Sequence, residues 1–138
     1  MISFTVMGTP IGKARARTVM QNGFSHSYTP RKTVEFEQAV AQTYKNVCRG
    51  AQMPENAPLK MRAICYMPIP KSTPKRLREL MASERVYHTK KPDASNILKS
   101  IEDAIVGMAY KDDSQIADTR AIKYYSENPR VEVSIETL

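Results

Sequence analysis

No apolar run in this chain approaches the roughly 20 residues that a membrane-spanning helix needs, which excludes a helical membrane protein. Cysteine is scarce, with only Cys48 and Cys65 among 138 residues. One pair cannot build the disulfide framework of a small secreted domain, and eight methionines fit a reducing compartment. The opening MISFTVMGTP lacks a basic start, a long apolar stretch and a small-residue cleavage site, so a cytoplasmic protein is expected. No stretch repeats at a period of ~20–50 residues, which excludes a solenoid. There is no Gly-rich phosphate loop, no Ser-His-Asp arrangement and no dinucleotide fingerprint, so no organic cofactor is expected. The two cysteines show no zinc spacing with His26 and His88. Both cysteines read as buried apolar residues and both histidines as surface residues.

What is present is enough for one core. Hydrophobic residues make up 41% of the chain, which argues against disorder and for a single domain over residues 1–138. The net charge is +7, unevenly spread. Residues 1–50 carry seven Lys/Arg against two Asp/Glu, residues 51–100 ten against four, and residues 101–138 four against eight. A basic front and middle suit a polyanion, because each neutralised phosphate releases condensed counterions. They equally suit a solubilising surface. A membrane surface is not expected, since no basic amphipathic helix with aromatic anchors appears.

Ile2, Phe4 and Val6 alternate with Ser3, Thr5 and Met7, a strand pattern. Gly8, Pro10 and Gly12 break it. Thr18 to Tyr28, with Gly23 at the middle, predicts a hairpin. Thr29-Pro30 predicts a helix start, Phe36, Val40, Tyr44 and Val47 give its apolar face, and Gly50 its end. Leu59 to Met67 alternates as a second clear strand, closed by Pro68 and Pro70. Thr73-Pro74 predicts a short helix to about Ser83, anchored by Leu77, Leu80 and Met81. Residues 84–92 read as irregular. Asp93 or Ser95 can cap a third helix ending at Gly107, with Ile97, Leu98, Ile101, Ala104 and Ile105 on one face. Two strands, around Ile116–Tyr125 and Arg130–Glu136, turn at Asn128-Pro129. The order β-β-β-α-β-α-α-β-β predicts an α+β fold: one mixed β-sheet with helices packed mainly on one face.

The segment KPDASNILKSIEDAIVGMAYKDDSQ, Lys91 to Gln115, can carry chemistry. Asp93 precedes the third helix. Asn96, Lys99 and Asp103 share its polar stripe. The pair Asp112-Asp113 follows and can fold back onto it. Magnesium and manganese take hard oxygen ligands, usually one or two carboxylates plus water and substrate phosphate. Carboxylates beside a lysine therefore suit phosphodiester hydrolysis. Each residue also has a plainer reading. Asp93 can be a helix cap, Asp112-Asp113 a turn, and Lys99 with Asp103 a solvent-facing ion pair.

This segment resembles the signature of the RusA family of Holliday junction resolvases, common in phages and prophages. The family pattern is approximately Asp-x-Asp-Asn-x-x-Lys, then Asp-Ala, a Gly and an Asp-Asp pair. Here stand Asp93-Ala94-Ser95-Asn96-Ile97-Leu98-Lys99, Asp103-Ala104, Gly107 and Asp112-Asp113. Gly8-x-Pro10 with Lys13, Arg15 and Arg17, and Tyr28-Thr29-Pro30, also resemble phage members, so the likeness spans almost the whole chain. It implies a bacterial, phage- or prophage-encoded homodimer that binds four-way DNA junctions and makes paired, symmetric cuts with Mg2+ or Mn2+. It assigns metal binding to the positions of Asp93, Ser95 and Asp113, with Lys99 as a further catalytic residue. Asp112 is a neighbouring metal candidate. Asn96 and Asp103 would act by orienting the groups that hold the metal or phosphate. Ser95 departs from the pattern, because the family has an aspartate there. A hydroxyl is neutral and a weaker ligand. Asp103 or Asp112 can supply the missing charge, an enzyme of lower metal affinity can survive, or the protein can bind junctions without cutting.

The expected DNA-backbone contacts are Lys13, Arg15, Arg17, Lys71, Lys75, Arg76, Arg78, Lys90 and Lys91. Tyr66, Tyr87, Tyr110, Tyr124 and Tyr125 can stack on unpaired bases, pack in the core or line a dimer seam. A basic RNA-binding module is the remaining alternative, but it has no RNP-type aromatic motif and no GXXG loop.

Overall fold

The computed structural model describes residues 1–14, 17–83 and 85–138, with the side chain of Arg17 left aside. Arg15 and the Arg17 side chain, both expected at DNA, thus lie outside the described residues. The strands are β1 (Ile2–Met7), β2 (Arg17–Gln21), β3 (Phe24–Tyr28), β4 (Leu59–Pro68), β5 (Ile116–Ser126) and β6 (Arg130–Thr137). The helices are α1 (Arg31–Cys48), α2 (Lys75–Ser83) and α3 (Ala94–Ile105), and a 3-10 turn at Asp113–Gln115 leads into β5.

A four-stranded mixed sheet runs β1-β6-β4-β5. β1 and β4 flank β6 antiparallel, while β4 and β5 are parallel. The parallel pair needs a crossover, and that connection carries α2 and α3. Alternation does what period two requires: Ile2, Phe4 and Val6, then Leu59, Met61, Ala63, Cys65 and Met67, then Val131, Val133 and Ile135 all point to one buried face. α1 brings Phe36, Val40 and Tyr44 to that face, and α3 brings Ile97, Leu98, Ile101 and Ile105. The fold is α+β, with its core between the sheet and the helices.

Several local expectations change. The hairpin β2-β3 forms a separate two-stranded sheet instead of joining the main one. The helix-start position before α1 is Pro30, not Thr29, and no side chain caps it. α1 ends with Arg49 in the left-handed region, one residue before Gly50. On α2 only Met81 is buried, while Leu77 and Leu80 stay 41% and 42% exposed. Cys65 is buried, as expected, and burial pushes its thiol up to about 12. Cys48 is only half-buried.

Residues 86–88, read as irregular, extend the sheet edge. The Tyr125 N–H donates to Val86 O at 3.0 Å, and the His88 N–H donates to Lys123 O at 2.9 Å. His88, expected on the surface, is half-buried. Its ring packs edge-on to Tyr125 at 4.9 Å, and its Nδ1 is buried with no hydrogen-bond partner among the described residues. Burial, then the charges of Lys123 and Lys90, lower its pKa below 6.5. A depressed histidine pKa means that the unfolded chain takes up the proton first, so stability is lost as pH falls from 6.5 through the folded value. His88→Leu should flatten this part of the pH profile. Melting temperatures of wild type and variant are expected to converge or cross as pH drops from 7 to 5. A constant difference would show that His88 does not titrate against the fold.

Candidate functional site

α3 organises the site. Its apolar stripe is buried, so its other side must face outward, and there Asn96 and Lys99 are exposed while Asp103 is half-buried. Gly107 lets the chain reverse just after α3. Its φ of 81° is the left-handed region, and its N–H donates to Tyr110 O at 2.7 Å. This turn carries Tyr110 back into the core, 2% exposed, where its hydroxyl donates to Asp113 Oδ1 at 2.8 Å and to Glu102 O at 3.3 Å. Burial first, then the hydrogen bond to Asp113, holds the Tyr110 pKa far above its usual range, so it remains a donor.

Asp113, fixed in this way, presents Oδ2 to Lys99 Nζ at 3.6 Å. Lys99 also reaches Asp103 Oδ1 at 3.0 Å, one helical turn on. The other Asp103 oxygen, Oδ2, meets Lys13 Nζ at 3.2 Å, and Lys13 bonds Glu37 Oε1 at 2.6 Å. The result is an alternating chain: Glu37, Lys13, Asp103, Lys99, Asp113, Tyr110. Hydrogen bonds to Glu37 and Asp103 raise the Lys13 pKa, and the bond to Asp103 raises that of Lys99. Both are ammonium ions at neutral pH. Glu102 lies beside the chain. Burial, then the charge of Asp113, pushes its carboxyl up.

The N-terminal loop is stapled to this helix. The Lys13 N–H donates to Asn96 O at 2.8 Å, and Thr33 links to both Gly12 O and the Ala14 N–H at 3.4 Å. Gly12 is required by space: a Cβ there would sit 2.8 Å from Pro92 Cβ and 3.2 Å from Asn96 Cβ. On the other side, Lys123 Nζ donates to Lys90 O at 2.6 Å and Pro92 O at 2.8 Å, fixing the approach to Asp93.

Asp93 occupies the position before α3 without a capping bond. Among the described residues its carboxylate has no hydrogen-bond or ion-pair partner. Ser95 and Asn96 are exposed beside it. Asn96 contributes its backbone carbonyl, to Lys13 and to Ser100. Asp93 precedes Lys99 by about 9 Å of helix rise. Asp112 is employed locally: it accepts from the Ser114 N–H at 3.0 Å and from the Ser114 hydroxyl, which lowers its pKa, within a capping box closed by Gln115. Lys71, Lys75, Arg76, Lys90 and Lys91 are exposed, whereas Arg78 is half-buried and spends Nη2 on Pro70 O at 2.7 Å.

Among the described residues no three His, Cys, Asp or Glu side chains gather closely enough to enclose a metal ion. The donor set therefore does not fit an all-protein cage. It does fit magnesium or manganese held by one or two carboxylates, with water and phosphate completing the shell, because among the described residues Asp93 is unpaired and Asp113 is half-exposed beside α3, its Oδ2 3.6 Å from Lys99. Sequence reasoning missed Tyr110 as the group that fixes Asp113, and missed Glu37 and Glu102. The three-residue spacing of Tyr110 and Asp113 was a usable signal. The Lys13–Glu37 contact, 24 residues apart, left none.

Among the described residues no helix is long and apolar enough to cross a membrane. A protein of Bacillus subtilis (strain 168) named YqaN, itself described as uncharacterized, is 38% identical over 139 aligned positions, covering 97% of this chain and 94% of that protein. The family model described as Endodeoxyribonuclease RusA matches residues 7–136, which takes in the N-terminal loop, the hairpin, α3 and the acidic turn alike. With nearly the whole sequence inside that match, the chain belongs to the RusA endodeoxyribonuclease family.

Proposed function

We propose that this protein is a structure-selective endodeoxyribonuclease that resolves four-way DNA junctions by metal-dependent phosphodiester hydrolysis, acting as a homodimer. The observation that carries the reading is Asp113, held by the buried Tyr110 hydroxyl and aimed at the Lys99 ammonium, in a chain of this family. Asp93 and Asp113 would hold Mg2+ or Mn2+, with Ser95 or water beside them. When bound, the ion supplies a nucleophilic water and neutralises charge on the phosphate oxygens. Lys99 stands ready to offset the negative charge that grows on the scissile phosphate. Asp103 and Lys13 orient Lys99, and Tyr110 orients Asp113. Two copies related by a two-fold axis match a junction whose paired cuts are symmetric.

A second reading rests on Ser95 and on the missing third carboxylate: a junction-binding protein with impaired chemistry. One experiment separates the two. A labelled four-way junction and a matched linear duplex are incubated with wild type and Ser95→Asp in magnesium, manganese or EDTA. The nuclease reading expects paired nicks in the junction alone, none in EDTA, and a half-saturating metal concentration about tenfold lower in Ser95→Asp, since ligand charge tunes affinity for a hard cation. Junction binding without cutting by wild type, with cutting restored in Ser95→Asp, would establish the second reading.

A further inference from the structure

The β2-β3 hairpin is a ribbon whose described side chains are exposed on both faces. Asn22 and Gly23, at φ 53° and 79°, form its two-residue turn, both in the left-handed region that a tight hairpin of this length demands. The register pairs Gln21 with Phe24, Val19 with His26 and Arg17 with Tyr28. Directly opposed residues share a face, so Phe24, His26 and Tyr28 stand in a row with Val19. The opposite face carries Thr18, Met20, Ser25 and Ser27, with the Thr18 and Ser27 hydroxyls 3.1 Å apart. The aromatic row is open to solvent. Phe24 is 76% exposed and Tyr28 41%, and His26 is exposed as well. None of the three joins the hydrophobic core. A lone two-stranded hairpin is marginal in water, and an aromatic row left on its surface points to a ligand.

The charge around the ribbon identifies the ligand. The first acidic residue of the whole sequence is Glu35, and before it stand Lys13, Arg15, Arg17, Arg31 and Lys32. That stretch of sequence holds no carboxylate of its own, although Lys13 is paired with Glu37 and Asp103 and Arg31 with Glu35, and a polyanion complements its net positive charge. Both its roots lie at the site already described. Ala14 is bonded to Thr33 in the first turn of α1, Lys13 to Asn96 of α3, and Tyr28 leads through Thr29-Pro30 into α1. Rings at every second residue of a strand are about 6.8 Å apart, about two nucleotide rises along one DNA strand. Bases within duplex DNA already stack on one another and offer no free face. Unstacked bases at a branch point do, and aromatic rings bind them regardless of sequence.

Resting on the nuclease reading above, we propose that the face of the β2-β3 ribbon formed by Phe24, His26 and Tyr28 stacks unpaired bases at the branch point of junction DNA and so makes the protein select branched over linear DNA. The ribbon is a selectivity device, and the chemistry stays with α3 and Asp113.

The test places 2-aminopurine at the crossover of a four-way junction and measures its fluorescence and the binding affinity in EDTA, so that no strand is cut. A linear duplex runs in parallel. Wild type is expected to prefer the junction and to change the 2-aminopurine signal. In Phe24→Ala/Tyr28→Ala, junction affinity should fall about tenfold or more, the signal change should vanish, and duplex affinity should stay within about twofold. Phe24→Leu/Tyr28→Leu, which keeps apolar bulk without a ring face, should fall in the same way. Phe24→Tyr should bind as wild type does. A junction preference unchanged in the Ala and Leu pairs would overturn the proposal while leaving the nuclease reading intact. So would a smaller oligomer in sedimentation of those variants, which would give the face to a second copy of the chain. A wild type that favours single-stranded RNA over the junction, or shows no preference for the junction over the duplex, would overturn the nuclease reading, and this proposal with it.

Discussion

Asp113→Asn is expected to slow junction cleavage at least about 10²–10³-fold at saturating magnesium, the scale of losing one preorganised electrostatic contact in an active site, while junction affinity in EDTA stays within about twofold. The substitution keeps shape and removes charge. The oxygen of the introduced amide can still accept from the Tyr110 hydroxyl, so the turn after α3 should persist. What is lost is the carboxylate that faces Lys99 across 3.6 Å and that would hold the metal. The ion pair itself is half-exposed and adds little to stability, so a fall in activity would not reflect unfolding. Asp112→Asn provides the contrast. Its carboxylate serves a local capping box with Ser114 and Gln115, and its loss should loosen that turn yet leave cutting close to wild type. Single-turnover rates on the junction, beside gel-shift affinities in EDTA, check both. Cutting by Asp113→Asn at a normal rate and normal metal concentration would remove Asp113 from the site.

How much of this could be read in advance depended on how local each determinant is. Alternation placed β1, β4 and β6 and their buried faces, because period two is a property of the backbone and survives any context. The i,i+4 spacing made the Lys99–Asp103 pair legible, and the apolar stripe of α3 came directly from helical geometry. The failures were tertiary. Leu77 and Leu80 looked like anchors of α2, but that helix lies at the sheet edge and buries only Met81. His88 sits in the polar stretch Tyr87 to Lys91 that reads as a loop, and its hydrogen bond to Lys123 and its contact with Tyr125 come from the β5 edge strand. Within the site, the family motif picked out Asp93, Lys99 and Asp113 as positions. It could not show that Lys13, counted with the cations meant for phosphate, is already bonded to Glu37 and Asp103. The sequence pattern gives residue types along α3, whereas the ionic chain depends on the N-terminal loop being clamped to it through Gly12.

That ionic chain makes the last prediction specific. Lys99→Met should lower the single-turnover cleavage rate on saturating junction about 10²–10³-fold with little change in junction affinity. The lysine pKa is raised above 10.5 by its bond to Asp103, so Lys99 stays charged throughout the range in which the protein can be assayed. It would therefore act as a fixed positive charge and not as a proton acceptor. The pH–rate profile of wild type should show no inflection from Lys99 below pH 10, and the profile of Lys99→Met should keep the same shape at a lower level. Asp103→Asn should cost less, about tenfold, because it frees the ammonium from one of its two carboxylates without removing it. Lys13→Met should produce a similar partial loss by releasing Asp103. If Lys99→Met weakened junction binding and left the rate at saturation unchanged, Lys99 would be a backbone contact of the kind expected of the α2 cations, and charge stabilisation at the scissile phosphate would have to come from the metal alone.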